Sequence, residues 1–265
     1  MPELPEVETV ARSIAPLVGR RILSAEFRCV RVLRGGDPEE MAEALRGRKI
    51  AGVQRYGKFI VMSLHGGGYL LVHLGMTGRL LLGGAMGKHT HAILTLDRGG
   101  VLLYDDSRQF GRLQYSAEFP ARIATLGPEP LEVPFEEFAG ALRRRKTKIK
   151  ALLLNQDFLR GLGNIYADEA LFRAGIHPLA IASRIRGARA RLLYEAIHAV
   201  LTEAIAAGGS SISDYVDAQG RKGFFQFSHR VYQRTGEPCV ACGAPIRRLL
   251  VAQRSSHFCP RCQKR

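Results

Sequence analysis

Close to its C-terminal end the chain reads Cys239-x2-Cys242, then sixteen residues, then Cys259-x2-Cys262. Two Cys-x2-Cys knuckles at this separation have the spacing of a tetrahedral zinc site. Gly243 behind the first knuckle and Pro260 inside the second suit tight turns around a metal. A pair of disulfides is the alternative, but a protein of the reducing cytoplasm rarely keeps them. The compartment is therefore part of the reading. No apolar run reaches the ~18 residues that span a bilayer. The first residues are acidic and lack an apolar h-region, so no secretory segment is expected and the protein should be soluble and cytoplasmic. One zinc ion is expected. Four thiolates leave no open coordination position, so the metal should fold the tail and take no part in chemistry. The fifth cysteine, Cys29, falls in an expected strand and reads as a small buried hydrophobe.

Charge narrows the partner. Lys and Arg exceed Asp and Glu by 39 − 24 = 15 over 265 residues. Such an excess favours a polyanion, because each phosphate neutralised releases condensed counterion. A membrane surface competes as a polyanion, but no basic amphipathic helix with bulky apolar anchors is present. A basic enzyme of small anionic metabolites is the remaining alternative; nucleic acid is the better fit.

Periodicity divides the chain into regions of different character. Val7, Val10, Ala11, Ile14 and Leu17 recur at helical spacing and predict a helix over about 3–18. Short strands then follow at 22–30, 50–56, 59–64, 69–74, 79–82, 91–96 and 101–105, with Gly66-Gly67-Gly68, Gly83-Gly84 and Gly99-Gly100 as turns. A helix at 38–45 interrupts them. Many short strands at this spacing predict an antiparallel β-sandwich or flattened barrel. Beyond the proline-rich Gly127–Pro134 the pattern turns helical, at 135–144, 149–154, 167–174 and 188–207, and the zinc knuckles should sit on a terminal hairpin. The expected fold is α+β, in three parts: a β-sandwich with flanking helices over 1–131, a helical domain over 132–226 and a zinc hairpin over 227–265.

Several short segments carry chemistry. Methionine before a small residue is usually trimmed, which would leave Pro2 with a free secondary amine. Such an amine attacks electrophilic carbon and collapses to an iminium ion, and Glu3 and Glu6 would lie close enough to move protons. An ordinary helix start is the competing explanation, since proline and acidic residues both favour the first turn. Arg143-Arg144-Arg145-Lys146-Thr147-Lys148-Ile149-Lys150 has six cations in eight positions and precedes Gly161-Leu162-Gly163-Asn164, a glycine turn opening a helix. A solvated face explains the run alone; beside a helix N-terminus and the Asn164 side chain it makes a DNA-backbone clamp. His73-Leu74-Gly75-Met76-Thr77-Gly78 would expose Met76 in a turn, and Arg108-Gln109-Phe110-Gly111 sets a cation and an aromatic on one side. Met and Phe wedges with an arginine are how proteins extract a nucleotide from a stack; core packing is the alternative for either residue.

Taken together, Pro2-Glu3-Leu4-Pro5-Glu6-Val7-Glu8, Tyr56-Gly57-Lys58, the His73–Gly78 and Arg108–Gly111 segments, Leu126-Gly127-Pro128-Glu129-Pro130, Gly161–Glu169, Gly175-Ile176-His177-Pro178 and the four-cysteine tail resemble the bacterial formamidopyrimidine-DNA glycosylase family over the whole chain. The resemblance implies a helix-two-turn-helix middle domain and a bifunctional glycosylase and abasic-site lyase that removes 8-oxoguanine and formamidopyrimidines from double-stranded DNA. It implies Pro2 as the nucleophile at C1′, Glu3 as the acid/base group, and Glu6 in the same pocket. Lys58, Asn164 and Arg254 are implied to contact phosphates around the lesion, with His73 a further contact. Met76, Arg108 and Phe110 are implied to fill the vacated position, Arg108 facing the orphaned cytosine. The loop around Asp217–Gly223 corresponds to a segment closing over the extruded base, Lys150 is placed near the base pocket, and a monomer is expected. The endonuclease VIII branch, which removes oxidised pyrimidines, usually has glycine where this chain has Leu4. A zinc-ribbon DNA-binding protein without activity is the reading from another class.

Overall fold

The computed structural model describes residues 1–212 and 214–265. The chain forms two compact units, Met1–Thr125 with Ala207–Gln226, and Leu126–Ala206 with Phe227–Arg265.

The first unit opens with helix α1, Leu4–Ile14, whose buried residues Leu4, Val7, Val10, Ala11 and Ile14 form one stripe. Pro16 has no N–H to bond the Arg12 carbonyl, so the helix stops short of the expected residue 18 and tightens into a 3-10 turn, Ala15–Leu17. Strand β1 (Ile22–Phe27) is followed by α2 (Pro38–Leu45), β2 (Ile50–Tyr56), β3 (Phe59–Leu64), β4 (Tyr69–His73), β5 (Gly78–Leu82), β6 (Thr90–Leu96), β7 (Gly100–Asp106), β8 (Arg112–Ser116) and the short α3 (Ala121–Ala124). The strands make two four-stranded antiparallel sheets, β1-β6-β7-β5 and β2-β3-β4-β8. Ile22, Leu80, Leu94 and Leu102 from one sheet share a core with Ile60, Met62, Leu70, Val72 and Leu113 from the other, and α1 joins it. The expected sandwich is thus present. Strand β1 ends three residues early, because Val30–Val32 coils into a 3-10 turn that buries Val32. Cys29 caps that turn and is half-buried, so it is neither in a strand nor fully enclosed.

The second unit contains α4 (Phe135–Arg143), α5 (Ile149–Leu154), α6 (Asn164–Arg173) and α7 (Ala188–Ala206), then the antiparallel hairpin of β9 (Arg247–Val251) and β10 (Arg254–Phe258). Between α5 and α6 the chain makes two turns. Gln156 staples them: its Nε2 donates to the carbonyls of Leu154 (3.1 Å) and Leu162 (2.9 Å), and its Oε1 accepts the Gly161 N–H at 2.9 Å. Helix α6 starts at Asn164, three residues before the expected 167, with Gly163 as its N-cap.

The segment Ala207–Gln226 departs from the linear division expected at residue 226: it packs with the first unit. Its Ser210 N–H donates to Glu6, its Ala218 N–H to Ser13 Oγ, and its Ala218 carbonyl accepts the Leu82 N–H. Tyr215 and Ala218 complete the sandwich core, which explains this allegiance.

Candidate active site and nucleic-acid surface

Pro2, Glu3 and Glu6 are all buried at the start of α1. Glu3 is the N-cap and Glu6 its partner in a capping box, which fixes the turn carrying Pro2. Glu6 is used twice. Oε2 accepts the Glu3 N–H at 2.7 Å and Oε1 accepts the Ser210 N–H at 2.7 Å. Gly209 lies at φ +81°, and a Cβ there would stand 2.8 Å from Glu6 Oε1, so only glycine lets the 207–226 segment approach. The Tyr215 hydroxyl donates to the carbonyls of Gly208 (3.1 Å) and Glu6 (3.3 Å). Burial, with the Glu6 charge beside it, pushes that phenol well above its ordinary range. Glu6 is thus an anchor between the terminal turn and the segment across from it.

Lys58 occupies a two-residue hairpin turn between β2 and β3, after Gly57 at φ +58°. A turn of this type needs a positive φ at its first central position, which accounts for Gly57. Arg55 braces the turn, donating from Nη1 to the Gly57 carbonyl and from Nε to Glu8 of α1 at 2.8 Å.

Met76 sits in the β4–β5 loop, 41% exposed, and Phe110 in the β7–β8 loop, 51% exposed. Such exposure excludes the core-packing alternative for both. The Arg108 guanidinium stacks over the Phe110 ring at 4.7 Å. The two loops touch through backbone: a Cβ on Gly75 would collide with Gly111 and Phe110, and one on Gly111 with Tyr104 and His73. The glycines in both motifs are therefore packing requirements.

His73 ends β4 with its ring 4.9 Å from that of Phe59. Its Nδ1 accepts the Gly75 N–H at 3.2 Å, which places the proton of the neutral ring on Nε2 as a donor. Burial, then Lys58, Arg122 and Arg112, lower its pKa from 6.5 to about 4. His229 in the other unit is lowered to about 4 by burial. Between pH 4 and 6.5 the unfolded chain binds protons that the folded chain does not, so stability is complete above about 6.5 and falls as pH drops towards 4. Urea unfolding across that range should show the decline; a flat profile would contradict the assignment.

A cavity of about 220 Å³ opens beside His73, lined by Arg34, Phe59, Leu71, Phe110, Arg112, Gln114 and Arg122. It has three guanidinium groups and no acidic lining residue. Sequence inspection missed these arginines because they lie far apart in the chain and converge only on the outer face of β3-β4-β8.

In the second unit Asn164 stands at the first position of α6, and its buried Oδ1 has no partner among the described residues. Arg254 is exposed at the start of β10, directly after a tight turn in which Ala252 and Gln253 both have positive φ. The four cysteines of the tail form no disulfide, and their sulfurs lie within 4.8 Å of one another. The Cys239–Cys262 and Cys242–Cys259 sulfurs are 3.9 and 3.4 Å apart. Tetrahedral bonds of ~2.3 Å to zinc put sulfurs ~3.8 Å apart, so the set fits one structural zinc ion. The N–H groups of Ala241 and Cys262 donate to the sulfurs of Cys239 and Cys259.

Lys150 is buried, unlike the exposed cations that precede it in the run. It is 0% exposed, with Nζ 2.5 Å from Asp168 Oδ1 and 3.2 Å from the Ser255 carbonyl. Asp168 Oδ2 accepts the His257 N–H at 3.0 Å, so the pair joins α5, α6 and β10. Its neighbour Glu169 accepts the N–H groups of Arg230, Val231 and Tyr232. These two carboxylates on an otherwise apolar, buried helix are the signal in the sequence for this role. Lys150→Ala takes from the buried Asp168 its ammonium partner, leaving only His257 beside it, and should destabilise the second unit by ~3 kcal/mol, read by chemical denaturation. A loss below about 1 kcal/mol would mean that the pair is worth no more than a surface one.

The two units combine a four-cysteine hairpin and a helical domain with a two-turn connection, and a β-sandwich opened by a capped, buried Pro2 turn. Family profiles agree throughout. The formamidopyrimidine-DNA glycosylase N-terminal domain matches residues 1–113, its H2TH domain 126–216, and the zinc finger found in FPG and IleRS 236–265. A formamidopyrimidine-DNA glycosylase of Solibacter usitatus is 73% identical over all of both chains. The MutM (Fpg) protein of Thermus thermophilus superposes with a TM-score of 0.89 at 43% identity, covering 99% of this chain and 98% of that one. A point mutant of Lactococcus lactis Fpg, in complex with DNA containing Fapy-dG, gives 0.92 at 37% identity over the full length of both. The chain belongs to the formamidopyrimidine-DNA glycosylase family.

Proposed function

We propose that the protein is a bifunctional DNA glycosylase and abasic-site lyase of base excision repair, removing 8-oxoguanine and formamidopyrimidines from duplex DNA in the bacterial cytoplasm. The observation that carries this reading is the buried turn of Pro2 and Glu3, held by the Glu6 capping box and tied through Ser210. Once Met1 is removed, the Pro2 nitrogen is a secondary amine that titrates near 8 when unperturbed, so a neutral fraction exists at pH 7. It attacks C1′ of the damaged nucleotide, and the bond from C1′ to the base breaks, the base leaving with that electron pair and taking up the proton that the Pro2 nitrogen sheds. Glu3 delivers a proton to the ring oxygen as the sugar opens, leaving an iminium between nitrogen and C1′. Loss of the C2′ proton then allows β-elimination, and δ-elimination follows, so a phosphate remains on each side of the gap.

Glu6 takes a supporting part, since both its oxygens already accept backbone N–H groups: it positions the turn and the 207–226 segment. Lys58, His73, Asn164 and Arg254 hold phosphates. Met76, Arg108 and Phe110 enter the stack, and Arg34, Arg112 and Arg122 extend the cationic surface. Zinc folds the hairpin that presents Arg254 and touches no reacting atom. The protein works as a monomer.

Leu4 and the Arg108–Phe110 pair favour purine lesions over oxidised pyrimidines. Incision of 8-oxoguanine:C and thymine-glycol duplexes under identical conditions tests the reading. Faster cleavage of the purine lesion, leaving 3′- and 5′-phosphate ends, is expected. Preference for thymine glycol would move the chain to the endonuclease VIII branch, and no incision of either, with DNA binding intact, would make it a binding protein.

A further inference from the structure

Asp106 closes β7 at 0% exposure, and among the described residues it forms no ion pair. A carboxylate buried without a cation is costly unless donors use its lone pairs. Here they do. Oδ1 accepts the Thr77 hydroxyl at 2.5 Å and the Arg108 N–H at 3.3 Å, while Oδ2 accepts the Gly111 N–H at 2.8 Å and the Tyr104 hydroxyl at 3.2 Å. The Arg108 N–H is shared with Thr77 Oγ1 at 3.2 Å. The Asp106 carbonyl accepts His91 Nε2–H at 2.8 Å.

The identity of these donors is informative. Thr77 follows Met76, and Arg108 and Gly111 bracket Phe110. One carboxylate therefore ties together both loops that carry the stack-entering trio, one through the Thr77 hydroxyl and the other through the Arg108 and Gly111 N–H groups. Between Arg108 and Phe110 lies Gln109 at φ +56°, a left-handed conformation a free loop would relax. Bonds on both sides of Gln109 hold it there, and the result is the Arg108 guanidinium seated over the Phe110 ring.

We propose that Asp106 is a positioning residue for base extraction: its carboxylate locks the Met76 loop to the Arg108–Gly111 turn, so that the three side chains meet the duplex as one preformed wedge. This rests on the glycosylase reading above. A wedge that must order on contact loses part of its interaction free energy to that ordering, and a misplacement of about 1 Å costs about 10²-fold.

The test is Asp106→Asn, which keeps the shape but turns an amide N–H₂ towards donors on one side. Single-turnover excision from 8-oxoguanine:C DNA should fall roughly 10- to 100-fold. Cleavage of a preformed abasic site and the borohydride-trapped adduct should stay at the wild-type level, and 2-aminopurine placed beside the lesion should unstack more slowly. A merely structural role would lower both activities together, in proportion to the folded fraction, and leave their ratio unchanged; that result overturns the proposal. Should Asp106→Asn not fold, Thr77→Val removes the shared hydroxyl with little change of volume and should shift the ratio the same way by less. An unchanged ratio in a folded Thr77→Val protein would count equally against it. A wild-type protein inactive on every lesion duplex would overturn the glycosylase reading and this one with it; an active wild type with unaltered ratios overturns this one alone.

Discussion

Extending the chain ahead of Pro2, by a tag or by retention of Met1, is expected to abolish the covalent adduct that borohydride traps between this protein and abasic DNA. The reason is electronic. With a residue in front of it the Pro2 nitrogen is an amide, whose lone pair is delocalised into the carbonyl. Only the freed terminus offers a basic secondary amine. The effect should reach 10³-fold or more (about the scale on which losing a covalent nucleophile is felt), with DNA binding preserved, since the phosphate contacts lie elsewhere. Lys58→Ala should behave in the opposite way, retaining the adduct while binding more weakly. Digestion of the adduct and sequencing of the linked peptide closes the question: sugar on a lysine would remove the mechanism proposed here.

Removal of zinc should have the second-largest effect, loss of DNA binding with the β-sandwich left folded. Structural zinc sites contribute ~10–16 kcal/mol of apparent binding free energy, far more than this tail could otherwise gather. Its own core consists of Phe172, Val231, Cys239, Ile246 and Cys259, two of which are metal ligands. Without the metal the turn at Ala252-Gln253 has little to hold its two positive-φ residues, and Arg254 is no longer presented. The loss should reach α6, because Asp168 bonds His257, and Gln263 bridges the Cys259 N–H to the Ile176 carbonyl. Chelation followed by circular dichroism and a binding titration measures both consequences. Full affinity after the metal is gone would contradict the place given to Arg254.

Much of the candidate site was legible beforehand, and for local reasons. The knuckle spacing, the glycine before Lys58 and the glycines around Met76 and Phe110 report turns whose geometry is set within a few residues. Local signals also had local failures: α1 ended early at Pro16, and Cys29 left its strand for a 3-10 turn. The surroundings of Lys150 were hidden for another reason. It ends a cationic run, and nothing nearby in the chain shows that Asp168, eighteen positions away, takes its charge into the core.

The amino-acid order alone determined which residue types were available and how each short stretch would coil: four thiols in two knuckles, strands then helices, an imino acid beside two carboxylates. Packing between distant segments decided what each did. Glu6 meets Ser210 across 204 positions, which makes it an anchor of the terminal turn. Arg34, Arg112 and Arg122 share one cavity, and Asp106 gathers donors from two loops. Periodicity and turn chemistry act over a few residues and are written in the chain. A buried charge finds its partner only when the chain has closed on itself, and the partner's identity then settles its role.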